Sequence, residues 1–454
     1  MKTIPHCLNS CSKEYSILGD LKVILTIAEN PYDIPPDVLF GLAARRNKKR
    51  LFLFVSKLLG KHIPVFPEIP QIGGALLADL FYHHIEGRPK GNIPFLIKSL
   101  HKRELAKEAV KQRAGIKQPL SKPTLFIGFA ETATGLGHAM YSAFSENAGF
   151  IHTTRDEIAE MESVFRFDEE HSHAVSHLCY ARKEDFFDNF QRIVLVDDEI
   201  TTGKTALNLI EALNQVVPNR EYVVASILDW RTREDHRAFK EAEERLGVDI
   251  KTLSLLKGTV WCNNAAVSLD EPVQYTTNSN RVCVRTVKLP SEEKYIYTLR
   301  DTLGNQHKAL YLKMTGRFGI YCTQNKEFQE QLKYYGEVLS SYREYERCLC
   351  MGNGEFIYIP SVISQSMGEG VMYQSTTRSP IYACNAPHYP IKNAVMFQNP
   401  EDVSIANYIY NVLPGQYDEV FWFLERDINE PAKKMISDKL GRLGVRSLCF
   451  VVFE

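Results

Sequence analysis

Short runs of hydrophobic residues alternate with helical stretches between Thr124 and Trp230. The apolar runs are TLFIGFA, GFIHTT, RIVLVDD and YVVASILDW, and the helical stretches between them include GLGHAMYSAFSEN and KTALNLIEALNQV. Continuous apolar strands that alternate with helices are typical of a parallel sheet covered on both faces. The pattern therefore predicts an α/β domain whose parallel sheet is flanked by helices.

Different patterns flank this region on both sides. Residues 36–66 indicate a helix, a basic turn and an apolar segment, and residues 70–120 are mainly helical in pattern. Residues 250–315 are strand-like and rich in turns, and a second α/β pattern begins near Arg317. We therefore predict an N-terminal domain over 1–255, a β-rich linker or insertion over 256–315 and a C-terminal α/β domain over 316–454.

The second α/β pattern resembles the first. One predicted strand ends near Gly128 and leads through a helix and a strand to Thr153-Thr154-Arg155, 25 residues after that glycine. The other ends near Gly352 and leads in the same way to Thr376-Thr377-Arg378, after 24 residues. Matching element order and spacing favours an internal duplication. The second copy has Leu424-Glu425-Arg426-Asp427 where the first has an acid pair and a loop of small residues.

Composition and charge are those of an ordinary globular protein. Hydrophobic residues make up 44%, charged residues 24%, and the net charge is −1, so no global field attracts nucleic acid or an anionic membrane. The basic cluster at 45–50 is interpreted as a solvated face. No apolar run reaches the roughly 18 residues of a membrane span, the first residues lack the apolar centre of a signal peptide, and the ten cysteines form no pair of CxxC units. We expect a cytoplasmic protein with reduced thiols.

The most specific motif is VLVDDEITTGKT, from Val194 to Thr205. Its end resembles the phosphate-binding loop of ATPases, which requires a glycine five residues before the Gly-Lys-Thr triplet. That position is Asp198, whose carboxylate would repel phosphates. The ATPase interpretation is therefore rejected.

The motif fits a sugar phosphate instead. Asp197 and Asp198 follow a buried strand, at the edge where ligands bind in open α/β sheets. The loop 201–205 opens a helix, whose free N–H groups and dipole suit one phosphate. Adjacent carboxylates suit sugar hydroxyls or a metal ion bound to them. A ribose 5-phosphate has this arrangement of groups.

Val194–Thr205 resembles the phosphoribosyl-pyrophosphate signature of type I phosphoribosyltransferases, although Glu199 stands where an apolar residue is usual. The resemblance implies that Asp197 and Asp198 hold the ribose hydroxyls and, indirectly, Mg²⁺. It also implies a 5-phosphate loop, which consists of Thr201, Thr202, Gly203, Lys204 and Thr205.

The rest of the first α/β unit agrees with this family in order. The loop after the first strand would bind pyrophosphate through Ala130, Glu131, Thr132, Ala133, Thr134 and Gly135, unless it is a plain strand-to-helix turn. Arg155 is a candidate diphosphate contact or an exposed loop arginine. Asp229 and Trp230 resemble the acid and aromatic that meet the base in purine members, and a core tryptophan is the alternative.

Family members carry a mobile loop where this chain has RFDEEHSHAVSH. Glu170, His171 and His173 could transfer protons or bind metal there. His171, His173 and His177 do not share one helical face, which disfavours a transition-metal site. Together with the acid pair, Glu170 and His171 are the candidate catalytic residues.

The whole chain also resembles phosphoribosyltransferase-like proteins from bacterial tellurite-resistance, or stress-response, gene clusters, whose C-terminal domain is named TRSP. The resemblance is carried by KRLFLFVSKLLGKHIPV, by the Glu-x-His-Ser-His loop and by Thr377-Arg378-Ser379-Pro380. Lys57, Lys61 and His62 either shape a hood over the base or solvate a helix end. The second-domain candidate site is Thr376, Thr377, Arg378 and Ser379.

Together these features predict transfer of ribose 5-phosphate from phosphoribosyl pyrophosphate to a nitrogenous base, or the reverse, with Mg²⁺. The expected partners are those two small molecules, with no membrane, no nucleic acid and a possible homodimer. The alternative is a non-catalytic regulatory protein that binds phosphoribosyl pyrophosphate or a nucleotide.

Overall fold

The computed structural model describes residues 11–45, 51–115, 117–167, 177–263, 265 and 281–454. The elements of the N-terminal half are β1 (Cys11–Ile17), β2 (Leu21–Glu29), α1 (Pro36–Leu39), β3 (Phe40–Ala44), β4 (Phe52–Ser56), α2 (Ile69–His84), α3 (Ile93–Ser99), α4 (Arg103–Gly115), β5 (Gln118–Gly128), α5 (Ala133–Tyr141), β6 (Phe144–His152), β7 (Glu157–Ile158), β8 (Phe165–Phe167), β9 (His177–Cys179), β10 (Arg192–Ile200), α6 (Lys204–Val216), β11 (Glu221–Asp229), α7 (Arg233–Leu246) and β12 (Ile250–Cys262).

The elements of the C-terminal half follow in the same way. They are β13 (Cys283–Leu289), β14 (Lys294–Arg300), β15 (Gln306–Leu312), β16 (Ile320–Tyr321), α8 (Asn325–Ser340), β17 (Cys348–Gly352), α9 (Tyr358–Gln365), β18 (Val371–Ser375), β19 (Ala394–Gln398), β20 (Ala406–Tyr410), β21 (Glu419–Leu424), α10 (Glu430–Gly441) and β22 (Ser447–Phe453). Among the described residues, no helix is both long and apolar enough to cross a membrane.

An eight-stranded sheet forms the core of the N-terminal half, in the order β1-β2-β12-β11-β10-β5-β6-β16. The five strands from β12 to β6 are parallel. Antiparallel strands extend the sheet at both ends, β2 and then β1 beyond β12, and β16 beyond β6. In β10 the residues from Ile193 to Val196 are fully buried, which explains their unbroken apolar sequence. Helix α6 buries Ala206, Leu209, Ile210 and Leu213, which is the helical spacing of a single apolar face.

A second, five-stranded parallel sheet forms the C-terminal half, in the order β13-β22-β21-β17-β18. The α/β fold class predicted for both halves is thereby confirmed.

The β-rich segment predicted at 256–315 contributes to three sheets. Strand β12 runs past residue 255 and stays in the N-terminal sheet, whereas β13 lies at the edge of the C-terminal sheet. Strands β14 and β15 form a hairpin that pairs with the short β7 of the N-terminal half. The segment therefore connects the two halves by strand pairing as well as through the chain.

The two halves share one strand order, as an internal duplication predicts. The sequence β11-β10-β5-β6 in the first sheet is matched by β22-β21-β17-β18 in the second. The next position is taken by β12 in the first sheet and by β13 in the second. In each half a hairpin follows the last strand of this order along the chain: β8–β9 comes after β6, and β19–β20 comes after β18.

Matching hydrogen bonds accompany this matching order. The Ala130 N–H donates to the Thr153 hydroxyl at 2.8 Å, and the Gly354 N–H donates to the Thr376 hydroxyl at 2.9 Å. The next residue in each half, Thr154 or Thr377, makes a backbone bridge to the hairpin. The resemblance therefore extends from topology to individual backbone contacts.

The helices that follow β5 and β17 pack against each other. Helix α5 packs on α9, where the ring of His138 stacks on that of Tyr358 with centroids 3.7 Å apart. A Cβ atom at Gly135 would lie 2.6 Å from a methyl carbon of Ile357, so only glycine allows this approach. The loops that open α5 and α9 therefore face each other directly.

His152, at the end of β6, gives stability a specific pH dependence. Burial, with the nearby charge of Arg317, lowers the pKa of His152 to about 4, whereas the pKa of a histidine in the unfolded chain is about 6.5. Between these values the unfolded chain binds the proton and the folded chain does not, so stability falls as pH drops from about 6.5 to about 4. We expect His152→Gln to lower the slope of unfolding free energy against pH by at most about 1.4 kcal/mol per unit.

Urea unfolding at intervals between pH 4.5 and 7 measures this slope. The matched control is His307→Gln, because His307 is exposed on β15. An unchanged slope in His152→Gln would contradict the assignment.

Candidate functional site

The acid pair lies where β10 extends beyond the end of β5, one of its two neighbouring strands. Val196 is paired with Gly128, the last residue of β5, whereas Asp197 to Ile200 continue only along β11. Asp197 and Asp198 are therefore half-buried at an open step in the sheet edge. One Asp197 carboxylate oxygen accepts the N–H of Asp198 at 2.8 Å. This step is the carboxyl-end position at which open α/β sheets bind ligands.

The predicted phosphate loop forms a tight turn between β10 and α6. Gly203 caps α6 with φ +77°, and a Cβ atom there would lie 2.5 Å from the ring of Phe239. The Thr202 hydroxyl accepts the Lys204 N–H at 3.3 Å, and Thr201 and Thr205 are half-buried. Helix α6 is 13 residues long and begins at this turn, and an anion site at its N–H groups stays a prediction.

The predicted pyrophosphate loop lies across this step, between β5 and α5. The Ala130–Glu131 peptide is cis, and Ala133 begins α5. The Thr132 hydroxyl accepts a hydrogen bond from Lys61. Lys61 thereby reaches the predicted pyrophosphate loop from the N-terminal segment, although the sequence pattern did not assign it there.

Thr153 anchors that loop from below. Its hydroxyl accepts the Ala130 N–H and also lies 3.0 Å from Nδ1 of His177, which is fully buried and stacked on Phe167. His177 thus supports the loop from within the core. The candidates Glu170, His171 and His173 lie outside the described residues.

The Asp229 carboxylate is bonded by a buried arginine. Arg231 donates to both oxygens, from Nε at 3.0 Å and from Nη2 at 2.7 Å. Burial opposes the charge on Asp229, but this hydrogen bonding by Arg231 lowers its pKa overall. The Arg231 guanidinium also lies over the ring of Phe239, beneath Gly203. Asp229 therefore holds Arg231 beneath the phosphate loop.

Trp230 packs into the core of the N-terminal segment. It is 5% exposed and stacks on Phe54 with centroids 4.9 Å apart, and Phe40 contacts it edge-on. These contacts are those of a core tryptophan, which was the alternative to a base contact in the sequence analysis. Base binding by Asp229 and Trp230 stays a prediction.

A buried group of charges joins the two halves beside the site. We call it the central ion cluster, and its members are Asp156, Arg317, Glu355, Glu401, Glu425 and Arg426.

Arg317 stands at the middle of this cluster. Its guanidinium lies 2.7 Å from Glu355, 3.0 Å from Glu425 and 3.7 Å from Asp156. Burial opposes ionisation of these acids, but the charges of Arg426 and Arg317 hold the pKa of Asp156 far below its usual range. Arg317 similarly lowers the pKa of Glu355, whereas burial leaves that of Glu425 raised. Arg317 is therefore the main counter-charge for Glu355 and Glu425, and it shares Asp156 with Arg426.

The C-terminal half fills its own corresponding edge with side chains. Gly352 of β17 pairs with Phe423, as Gly128 pairs with Val196, so Glu425 corresponds to Asp198. Glu425 is paired with Arg317. Helix α10 is capped by Asn429, whose side chain accepts the Ala432 N–H. The groups that would bind sugar and phosphate are thus engaged within the protein.

The residues Thr376 to Ser379 follow β18 beside this filled edge. The Thr377 hydroxyl accepts the Ser379 N–H at 3.2 Å, and Arg378 is half-buried. A ligand role for these four residues stays a prediction.

Two family models match the chain. A phosphoribosyl transferase model matches residues 39–259, and the model of the TRSP domain, found C-terminal to that domain, matches residues 314–440. No curated protein matches the chain.

Solved adenine phosphoribosyltransferases are also similar. The Trypanosoma brucei enzyme, in complex with AMP, pyrophosphate and ribose-5-phosphate, is 18% identical over 34% of this chain and 65% of its own, with a TM-score of 0.23. The Leishmania donovani enzyme is 16% identical over 35% and 66%, with a TM-score of 0.22. The chain thus spans just under two thirds of these two proteins.

The two family models follow one another along the chain in the order of the two α/β halves. The protein therefore belongs to the family in which a phosphoribosyl transferase domain is followed by a C-terminal TRSP domain.

Proposed function

We propose that the N-terminal half transfers ribose 5-phosphate between phosphoribosyl pyrophosphate and a nitrogenous base, in the synthesis or salvage of a nucleotide-like compound. The observation that carries this proposal is the placement of three groups at one step of the sheet edge. These groups are the acid pair on β10, the Gly203 turn that opens α6, and the loop between β5 and α5.

Each group has a role in the proposed reaction. Asp197 and Asp198 accept hydrogen bonds from the ribose hydroxyls, and residues 201–205 donate to the 5-phosphate. The loop from Ala130 to Ala133, with Arg155, holds the diphosphate, and we retain Asp229 and Trp230 as the proposed base contacts.

Transfer breaks the bond between the ribose carbon and a diphosphate oxygen and forms a bond from that carbon to nitrogen. The bonding pair leaves with diphosphate, and the base loses its N–H proton. Fixed hydroxyls and N–H groups contribute mainly by positioning and electrostatic stabilisation. Glu170 and His171 are proposed to transfer the proton.

The two adjacent carboxylates are hard oxygen ligands of the kind that suit Mg²⁺. Among the described residues no group of three or more His, Cys, Asp or Glu side chains forms a metal cage. This donor set fits an ion held largely by substrate and water oxygens, near Asp197 and Asp198. Bound there, Mg²⁺ would neutralise charge on the diphosphate.

We further propose the division into domains 1–255, 256–315 and 316–454, and a cytoplasmic location.

A turnover screen tests the function. The full chain is incubated with phosphoribosyl pyrophosphate, Mg²⁺ and a panel of purine, pyrimidine and pyridine bases, and diphosphate release is measured. The reverse reaction is tested with the matching nucleotides and diphosphate. Base-dependent release, or nucleotide cleavage, supports the proposal. Tight binding of phosphoribosyl pyrophosphate without turnover in either direction would contradict it and favour a regulatory binding protein.

A further inference from the structure

A carboxylate of the C-terminal half binds the strand end that carries the proposed diphosphate contact. One oxygen of Glu355 accepts the Arg155 N–H at 2.9 Å. Its other oxygen accepts the Thr154 hydroxyl at 2.7 Å. The contact spans about two hundred residues of sequence, and only about 9% of the Glu355 side chain is exposed. Glu355 is therefore a built part of the N-terminal site's surroundings.

The position of Glu355 follows from the duplication. It lies three residues after Gly352, as Glu131 lies three residues after Gly128, so it belongs to the C-terminal counterpart of the pyrophosphate loop. The backbone of this counterpart also contacts the first loop, because the Glu355 carbonyl accepts the Thr134 hydroxyl at 3.2 Å. One loop of the pair is thus placed to support the other.

Arg317 fixes the Glu355 carboxylate in this orientation. It donates from Nη1 to the same oxygen that Thr154 contacts, at 2.7 Å, and its Nη2 is held by Glu425 at 3.0 Å. Thr154 in turn accepts the Asp156 N–H at 3.1 Å. Both Glu355 oxygens are engaged in this network, so the carboxylate is oriented toward the protein backbone at Arg155.

We propose that Glu355 is a positioning residue of the diphosphate site: it fixes Thr154 and the Arg155 backbone, and thereby directs the Arg155 side chain and the adjoining loop toward diphosphate. This inference rests on the proposed function. The C-terminal half then acts in the reaction through Glu355, although its own corresponding edge is filled.

Replacing Glu355 with glutamine tests this role in the full chain. The amide keeps one acceptor oxygen for the Arg155 N–H but cannot accept the Thr154 hydroxyl with its nitrogen. We expect affinity for diphosphate to fall about tenfold, because a charge-assisted hydrogen bond is lost at a positioned site. Affinity for ribose 5-phosphate, held by the acid pair and α6, should change less than about twofold. Calorimetric titration with each ligand separately measures both.

The matched control is Glu401→Gln. Glu401 belongs to the same central ion cluster, but it binds Arg426 at 2.6 Å and lies outside the Thr154–Arg155 contact. It should therefore leave diphosphate affinity unchanged. Thr154→Val, which removes the other partner of the hydrogen bond, should repeat the selective loss and provides the test if Glu355→Gln folds poorly.

The outcomes separate this inference from the proposed function. If the unmodified chain binds neither ligand, the proposed function fails and takes this inference with it. If the unmodified chain binds both ligands, three results would overturn the role of Glu355. Glu355→Gln could lose affinity equally for both ligands, or lose none, or Glu401→Gln could lose as much diphosphate affinity as Glu355→Gln. Tighter diphosphate binding in Glu355→Gln would also overturn it, since Glu355 would then compete with the ligand.

Discussion

Replacing Asp198 with asparagine will lower the affinity of the chain for ribose 5-phosphate about a hundredfold. A carboxylate that accepts ribose hydroxyls contributes a charge-assisted hydrogen bond, worth about 1.5–3 kcal/mol, and a further loss follows if the ion near the diphosphate is bound less tightly. The amide has nearly the same shape, so the fold should be retained. Titration with ribose 5-phosphate and with phosphoribosyl pyrophosphate, each with and without Mg²⁺, measures the loss.

Glu199→Gln is the control for this substitution. Glu199 is the next residue on the same strand, and it lies outside the acid pair that is proposed to hold the ribose hydroxyls. We expect less than about a threefold change in this variant. If Asp198→Asn binds phosphoribosyl pyrophosphate as tightly as the unmodified chain, the acid pair does not hold the ribose.

Replacing Arg317 with methionine will destabilise the protein by about 3–5 kcal/mol, because removal of one partner leaves buried charges uncompensated. Arg317 is 3% exposed and faces Glu355, Glu425 and Asp156. Without it, the pKa of Glu355 should rise above that of the unfolded chain, and the pKa of Glu425, which burial already raises, should rise further. The variant's loss of unfolding free energy, relative to the unmodified chain, should then be largest above pH 7. It should shrink toward pH 5, because the carboxylates bind protons there.

Urea unfolding at pH 5 and pH 7.5 measures both the loss and its pH dependence. Arg347→Met is the matched control, since Arg347 pairs with Asp418 at 2.7 Å while its side chain is 55% exposed. An exposed ion pair contributes only about 0–1 kcal/mol. An Arg317→Met variant no less stable than Arg347→Met would show that the central ion cluster is not held by that guanidinium.

The strand, turn and helix that carry the acid pair and the predicted phosphate loop could be predicted because their signal is local. A buried strand, two carboxylates, a glycine turn and an amphipathic helix follow one another within Val194–Val216, and the structure places them as that order implies. The duplication was also visible, because the apolar runs and their spacing recur along the chain. The order of the strands in each sheet came from the structure.

The contacts between distant residues were not visible in the same way. Glu355 binds Arg155 across about two hundred positions, and Lys61 reaches Thr132 across 71. No periodicity encodes such pairs, since they depend on how two sheets face each other. Only the recurrence of a glutamate three residues after Gly128 and Gly352 could have drawn attention to Glu355.

Trp230 illustrates a different limit. Its position after β11 in the sequence was compatible with a base contact and equally with a core residue. Its stacking on Phe54 depends on the path of the N-terminal segment. For Asp229, the nearby Arg231 was a usable signal, because an arginine two residues from an aspartate can fold back onto it.

Because the two α/β halves lie on one chain, their association does not depend on protein concentration and their sequences can diverge. Tethering on one chain makes their encounter intramolecular, with an effective concentration set by the connecting segment and independent of how much protein is present. Two separate subunits with these surfaces would dissociate at low protein concentration, whereas the contact between tethered halves does not depend on protein concentration. Tethering also lets the halves diverge: where one half has Asp198, the other has Glu425, which pairs with Arg317.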